Sequence, residues 1–286
     1  MGWRGHGWTK EQLEKRSEKV LQRYREKYLG TEYTSNDGYK CKLVVYRNAM
    51  DCDFLFDDDT LVTHKSIYNA RKGEIKNPNT KTKCNIGFLG ENNNVKDETK
   101  PVDKFYNKKR TTWEAMLNRC YDKRMEEINP SYNDCFVSEE FQNRSLFFKW
   151  FDENYYEIYD ETMCLDKDIL IKGNKIYSSD ACIFVPERIN MLFVKGNRKN
   201  KDLPIGVRRV INKNIGDRYE ANCAIRKEYK KTISIYLGRY NTPEDAFYAY
   251  KKYKEEYIKQ VADEYKDKIP QKLYDAMYNY KVEITD

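Results

Sequence analysis

The sequence feature that most limits the fold is a run of three β-prone segments that leads directly into a strongly capped helix. The segments are IGVRRVINKN, RYEANCAIRK and KTISIYLGRY, and the helix is TPEDAFYAYKKYKEEYIKQVADEY. Thr242 supplies an N-cap oxygen, Pro243 suits the first helical position, and acidic residues follow in the first turn. This order predicts a three-stranded meander packed on one helix, with the other face of the sheet left free.

The remaining sequence divides into further segments, so we expect a modular α+β protein in which no single core has to span all 286 residues. Four segments are predicted: a basic N-terminal helix over 1–30, a small β-rich domain over 31–95, two helices and a ββα module over 96–195, and the sheet-plus-helix domain with a final helix over 196–286. Thr9 and Gln12 have the spacing of a capping box at the first helix.

Composition allows a nucleic-acid partner without requiring one. There are 53 Lys and Arg residues against 46 Asp and Glu, a net charge of +7, so the position of the positive charge matters more than its sum. The strongly basic segment KGNRKNKD at 195–202 has the composition of a linker that also lies against nucleic acid.

The cysteines and the hydropathy pattern predict the cellular compartment of the protein and whether it binds zinc or a membrane. Eight cysteines occur without a CxxC pair, which predicts reduced thiols, a cytoplasmic protein and no zinc site, since structural zinc ligands usually come in close pairs. Apolar runs fall short of the roughly 18 residues of a membrane span, so we expect no membrane association. We expect a monomer.

A family resemblance covers residues 205–262 and rests on GVRR, RYEANCAI and YLGRYNTPEDAFYAY. These stretches resemble the plant ethylene-response-factor DNA-binding domain, also called the APETALA-two domain, which occurs in phage endonucleases as well. In that family the free sheet face carries Arg and Trp to bases and phosphates, so the resemblance implies double-stranded DNA as the partner. The matching positions here are Arg208, Arg209, Arg218, Tyr219, Arg226 and Tyr236.

Two features modify this prediction. Tyr stands where the family has Trp at positions 219 and 236, which favours stacking or contact with phosphates over base readout. Basic residues outside the motif extend the predicted DNA-binding set: Arg198, Lys199, Lys201 and Lys213.

A second resemblance covers roughly residues 105–195 and rests mainly on LDKDILIKGNK and IYSSDACIFVPERIN. These stretches resemble phage proteins related to HNH homing endonucleases, whose ββα site holds a divalent ion against one phosphate. The resemblance implies Mg²⁺ or Mn²⁺ bound by Asp166 and Asn190, and it places Lys167 at the position of the catalytic His and Cys182 at the middle Asn. Apolar positions on the two predicted strands are Ile169, Ile171, Ile176, Ile183 and Val185.

The substitution of Lys167 for the family's His leaves the activity open. Lysine ordinarily titrates about four pH units above histidine, so Lys167 is either a transition-state cation or a base whose pKa is lowered by burial, and Asp168 is a further candidate for activating water. Three functions therefore stay open: a metal-dependent DNA-nicking endonuclease, a non-enzymatic DNA-binding or regulatory phage protein, and an interaction protein that acts on a host factor through 31–95.

Overall fold

The computed structural model describes residues 9–90, 103–194, 202–211, 217–228 and 231–286. The chain is a mixture of helices and sheets, in agreement with the predicted α+β class. It forms two compact units: Met1–Asn133 with Val137–Trp150, and Asp134–Phe136 with Phe151–Asp286.

The first unit begins with a helix and a four-stranded antiparallel meander in the order β1-β2-β3-β4. Its elements are α1 (Lys10–Tyr28), β1 (Glu32–Thr34), β2 (Lys40–Asn48), β3 (Asp51–Phe56), β4 (Leu61–Lys65) and α2 (Ile67–Arg71). The capping box at Thr9 and Gln12 is confirmed, with both reciprocal hydrogen bonds present. The strand β1 and the helix α2 were not anticipated from the sequence.

Helix α1 contacts the meander through aromatic side chains. The ring of Tyr28 stacks on Tyr24 at 6.1 Å and on Tyr46 of β2 at 5.8 Å between centroids. Leu21 and Tyr28 pack against the buried cluster that contains Leu43 and Phe54. The helix therefore gains its stability from tertiary packing of one face, as short helices in water usually must.

Helices make up most of the remainder of the first unit. The helices are α3 (Tyr106–Tyr121), α4 (Lys123–Ile128), α5 (Glu139–Gln142) and α6 (Arg144–Asn154). The short strand β5 (Phe136–Val137) and the helix α6 each have residues in both units. The buried Trp113 of α3 donates its indole N–H to the Phe141 carbonyl at 2.7 Å, so this large apolar side chain has its one polar group satisfied.

The second unit combines the predicted ββα segment with the predicted sheet-plus-helix segment. Its remaining elements are β6 (Met163–Asp166), β7 (Ile176–Tyr177), β8 (Ile183–Pro186), α7 (Glu187–Phe193), β9 (Val207–Val210), β10 (Arg218–Glu228), β11 (Lys231–Tyr240), α8 (Pro243–Tyr265) and α9 (Gln271–Tyr278). Strand β6 pairs with β8, and β10 lies between β9 and β11. The predicted N-cap at Thr242, with its bond to the Asp245 N–H, is confirmed.

One hydrophobic core spans both of these segments. It contains Ile183, Val185 and Ile189 from the β8–α7 region together with Cys223 of β10 and Ile258 of α8. The predicted boundary between residues 195 and 196 therefore lies within one packed unit, because the apolar sides of β8 and α7 are covered by α8 and its neighbours.

Strand β6 pairs with β8, which leads into α7, and β6 is shorter than the sequence suggested. Strand β6 ends at Asp166, and the next chain segment forms a loop before β7. Of the predicted apolar strand positions, Ile169 is buried, whereas Ile171 and Ile176 are about half exposed. Ile171 was expected on a strand and instead lies after the end of β6, whereas Ile176 lies on a strand, β7, with its side chain about half exposed.

Candidate nucleic-acid interface

The sheet β9-β10-β11 has one face against α8 and one face turned away from it. Strand register assigns the faces, since paired residues in antiparallel strands share a face and successive residues alternate. Buried Ala221, Cys223 and Ile225 of β10 define the face that packs on α8. We call the opposite side the outer face. Its described side chains are Arg208, Val210, Arg218, Glu220, Asn222, Ala224, Thr232, Ser234, Tyr236 and Arg239.

A buried carboxylate organises two guanidinium groups on the outer face. Glu220 Oε2 accepts a hydrogen bond from Arg208 Nε at 2.8 Å and forms an ion pair with Arg208 Nη2 at 2.6 Å, while Oε1 accepts hydrogen bonds from Arg239 Nε at 3.1 Å and Nη2 at 2.6 Å. Arg239 and Arg208 together hold the pKa of Glu220 below its ordinary value. The Glu220 side chain is 4% exposed, whereas those of Arg208 and Arg239 are 70% and 48% exposed, so both cations present their remaining N–H groups to solvent.

Arg239 and Glu220 were missed in the sequence, and a β-bulge explains why. The register jumps from the Ala221–Gly238 pair to the Asn222–Tyr236 pair, which leaves Leu237 as an extra residue in β11. Simple alternation from Tyr236 would turn Arg239 toward α8, but the bulge returns it to the outer face opposite Glu220. The only sequence signal was Gly238, whose φ of +124° suits a bulge.

The other predicted DNA-binding residues have different locations. Arg218 and the 58% exposed Tyr236 lie on the outer face. Arg209 and Tyr219 are paired with each other, and their register places them on the side of Ala221. Arg209 forms an ion pair with Asp217.

Some predicted positions are not covered by the structure. Arg198, Lys199, Lys201 and Lys213 lie outside the described residues, and of Arg226 only the strand backbone is described.

The predicted nuclease residues lie where β6 ends. Asp166 Oδ1 accepts the backbone N–H groups of Asp168 and Ile169, each at 2.8 Å, so this carboxylate caps the turn that terminates the strand. Burial and the neighbouring Asp168 carboxylate raise the pKa of Asp166 to about 6, against the lowering effect of the two N–H groups.

Lys167 is buried beside this turn, in contact with polar groups. Its Nζ donates to Asp168 Oδ2 at 3.1 Å and to the Asn174 carbonyl at 3.2 Å, and lies 5.9 Å from the ring centroid of Tyr177. Burial lowers the pKa of Lys167, but Asp168, Cys135 and Asp166 together raise it by more, so the net direction is upward. Of the two roles that the sequence left open for Lys167, this environment favours a cation over a base.

The resemblance implies a bound Mg²⁺ or Mn²⁺. The oxygen donors around Asp166 are poorly arranged to hold such an ion. Asp166 and Asn190, on β6 and α7, supply oxygen donors of a suitable kind. One Asp166 oxygen already caps the turn, however, and the Lys167 ammonium lies against Asp168. Within the described ranges no three His, Cys, Asp or Glu side chains form a metal-binding group. Buried Cys182 has its thiol pKa raised to about 12 by burial.

Comparisons with protein families, with curated proteins and with solved structures found no match to this chain. None of the helices in the part of the chain that the structure describes is long and apolar enough to cross a membrane.

Proposed function

We propose that this chain binds double-stranded DNA through the outer face of the β9-β10-β11 sheet. The observation that carries the proposal is the Arg208–Glu220–Arg239 cluster, in which one buried carboxylate fixes two guanidinium groups on a solvent-facing sheet. A twisted two- or three-stranded ribbon has dimensions that suit the major groove of B-form DNA.

The charge arrangement supports an anionic partner. Arg239 uses Nε and one Nη2 hydrogen for Glu220, and Arg208 uses its Nε hydrogen, which leaves further N–H donors on both guanidinium groups. Fixed guanidinium groups bind phosphate oxygens or the O6 and N7 of guanine in a bidentate manner. Because Glu220 holds both side chains in place, less rotamer entropy is lost when DNA binds.

The neighbouring side chains extend the same surface. Arg218 adds a third cation, and its Nη1 donates to the Asp217 carbonyl at 3.1 Å. Tyr236, Thr232 and Ser234 provide hydroxyl groups of the kind that bind phosphate and fix a protein's register on a duplex. The resemblance to the APETALA-two domain points to the same face.

The proposal is tested by fluorescence anisotropy with a short labelled DNA duplex and the matching single strand, titrated between about 50 and about 200 mM salt. We expect duplex binding that weakens steeply with salt, and weaker binding of the single strand. An absence of duplex binding at the lowest salt, or a preference for the single strand, would contradict the proposal.

A further inference from the structure

The second unit contains a cavity of about 340 Å³ at the open edge of β10. Strand β9 pairs with β10 only as far as Ala221, and the walls beyond that point come from α7, α8 and the chain just before β9. We propose that this cavity binds a small organic anion that carries an apolar part. Its volume lies within the range of small-molecule sites in proteins.

Two cationic side chains line the cavity. Arg188 on α7 binds Glu264 through Nη2 at 2.5 Å and lies over the ring of Tyr265, yet its Nε is buried without a hydrogen-bond partner. The Nε itself is closed off from solvent, but other atoms of the Arg188 side chain form part of the cavity wall. The positive charge of this guanidinium therefore favours an anion in the cavity.

Lys254 on α8 provides the second charge. Burial lowers its pKa, partly opposed by the nearby Cys223, and no carboxylate lies within ion-pair distance of it among the residues that the structure covers. Partial burial of an ammonium group without a counter-charge is unfavourable, and an accompanying anion offsets that cost. The cavity lies beside this ammonium group and provides the space for that anion.

A backbone donor lies on the same edge. The Asn222 N–H points away from β11, because it donates to the Gly206 carbonyl at 2.8 Å. Alternate residues of a strand direct their N–H groups to the same edge, so the N–H of Ala224 points toward the cavity that Ala224 lines. Three kinds of donor therefore converge there: a guanidinium, an ammonium and an amide.

The rest of the cavity wall is mainly apolar. We therefore expect the ligand to carry an apolar part besides its charged group. Met191, Leu192, Ile205 and Ile225 line the cavity together with the ring of Tyr250. A fully hydrated inorganic ion would leave this apolar surface in contact with water. An organic anion instead covers it while its charged group reaches Arg188 and Lys254.

Isothermal titration calorimetry of the full chain with sodium octanoate, 1-octanol and inorganic phosphate tests the proposal. We expect one octanoate per chain, bound about tenfold or more tightly than either other probe, since octanol lacks the charge and phosphate lacks the apolar part. Equal affinity for octanol, tighter binding of phosphate, or no octanoate binding would overturn the proposal.

The matched variants are Lys254→Met and Lys252→Met. Methionine keeps most of the length of the lysine side chain and removes the charge, and Lys252 is an exposed position on the same helix. Octanoate affinity should fall about tenfold in Lys254→Met and stay unchanged in Lys252→Met, with both variants folded by thermal melting. Unchanged affinity in folded Lys254→Met would overturn the assignment of the charged group.

Discussion

Glu220 and Arg239 face each other across β10 and β11, and the carboxylate accepts two hydrogen bonds from that single guanidinium, at 3.1 and 2.6 Å. The bulge at Leu237 makes this pairing possible, and Arg208 completes the cluster from β9. The arrangement makes the outer face a rigid, positively charged surface, and it leads to predictions about binding.

Replacing Glu220 with Gln should weaken duplex binding even though it removes a negative charge. The amide offers one acceptor oxygen in place of two, so it can no longer accept hydrogen bonds from Arg208 and Arg239 on separate oxygens. We expect about a tenfold loss of affinity for duplex DNA in anisotropy titrations. A gain in affinity would show that Glu220 acts only as a repulsive charge on this face.

The role of Asp166 in the turn after β6 can be separated from any role in catalysis. Asp166→Ala removes the acceptor for two backbone N–H groups and should lower the free energy of unfolding by about 1 kcal/mol, whereas Asp166→Asn keeps an Oδ1 acceptor and should be close to wild type. Urea denaturation checks both variants. Equal destabilisation by the two changes would contradict the capping role.

The same variants test the nicking activity predicted from the HNH resemblance. Supercoiled-plasmid nicking is measured with Mg²⁺ and with Mn²⁺ for the wild type, Asp166→Asn and Lys167→His. If the chain is a nuclease, Asp166→Asn should lose nicking while retaining its fold and DNA affinity, and Lys167→His should nick faster because it restores the family's base. An absence of nicking in both the wild type and Lys167→His would contradict the nuclease hypothesis.

The ion pair between Arg47 and Asp53 predicts a pH-dependent contribution to the stability of the first unit. Arg47 binds both Asp53 oxygens at 2.8 and 2.6 Å, and the His64 N–H donates to the same carboxylate. Burial raises the pKa of Asp53, but these partners lower it by more. The stabilisation is therefore present above the unfolded-state pKa and lost as the pH falls through the lower folded-state value.

Asp53→Asn should accordingly destabilise the protein by about 2 kcal/mol at neutral pH, measured by urea denaturation. The difference from wild type should diminish below about pH 4, where the carboxylate of the unfolded chain becomes protonated. A difference that stays constant from neutral to acidic pH would contradict a charge-dependent role.

Gly206 and Gly173 offer a matched pair for testing the packing of the loop before β9. Both have a φ of +79°, but a Cβ at Gly206 would lie 2.1 Å from Tyr250 Cδ2, whereas a Cβ at Gly173 would have nothing within 4 Å. Gly173→Ala should cost about 1 kcal/mol from backbone strain alone, and Gly206→Ala about 3 kcal/mol or more. Equal costs in thermal or urea unfolding would show that the loop moves freely away from Tyr250.

The sequence predicted the elements whose signals are local. The cap at Thr242 and the alternation in β10 were sufficient to place α8 and the sheet, since both signals lie within a few residues of the element that they define. The position of Arg239 was not predictable in the same way, because one extra residue in β11 reverses the alternation and depends on pairing with β10.

The end of β6 shows the same limit at the predicted nuclease site. Residues 165–171 were predicted to form a strand, but the Asp166 carboxylate accepts the backbone N–H groups of Asp168 and Ile169 and the strand ends at Asp166. The burial of Lys167 depends on Asn174 and Tyr177, which the fold brings close after the loop. The sequence motif singled out these residues, but it did not indicate which hydrogen bonds and packing contacts their side chains would form.

The most direct test of the proposed DNA interface is the salt dependence of duplex affinity in a variant that lacks all three charged groups of the cluster. Arg208→Gln, Glu220→Gln and Arg239→Gln together remove the cluster without leaving a buried charge unpaired. The control is Arg209→Gln with Asp217→Asn, which removes an ion pair on the same sheet but off the outer face. The proposal predicts that the slope of log affinity against log salt becomes shallower, by about two in magnitude, in the triple variant. The slope should stay unchanged in the control. Equal slopes for the wild type and the triple variant would contradict it.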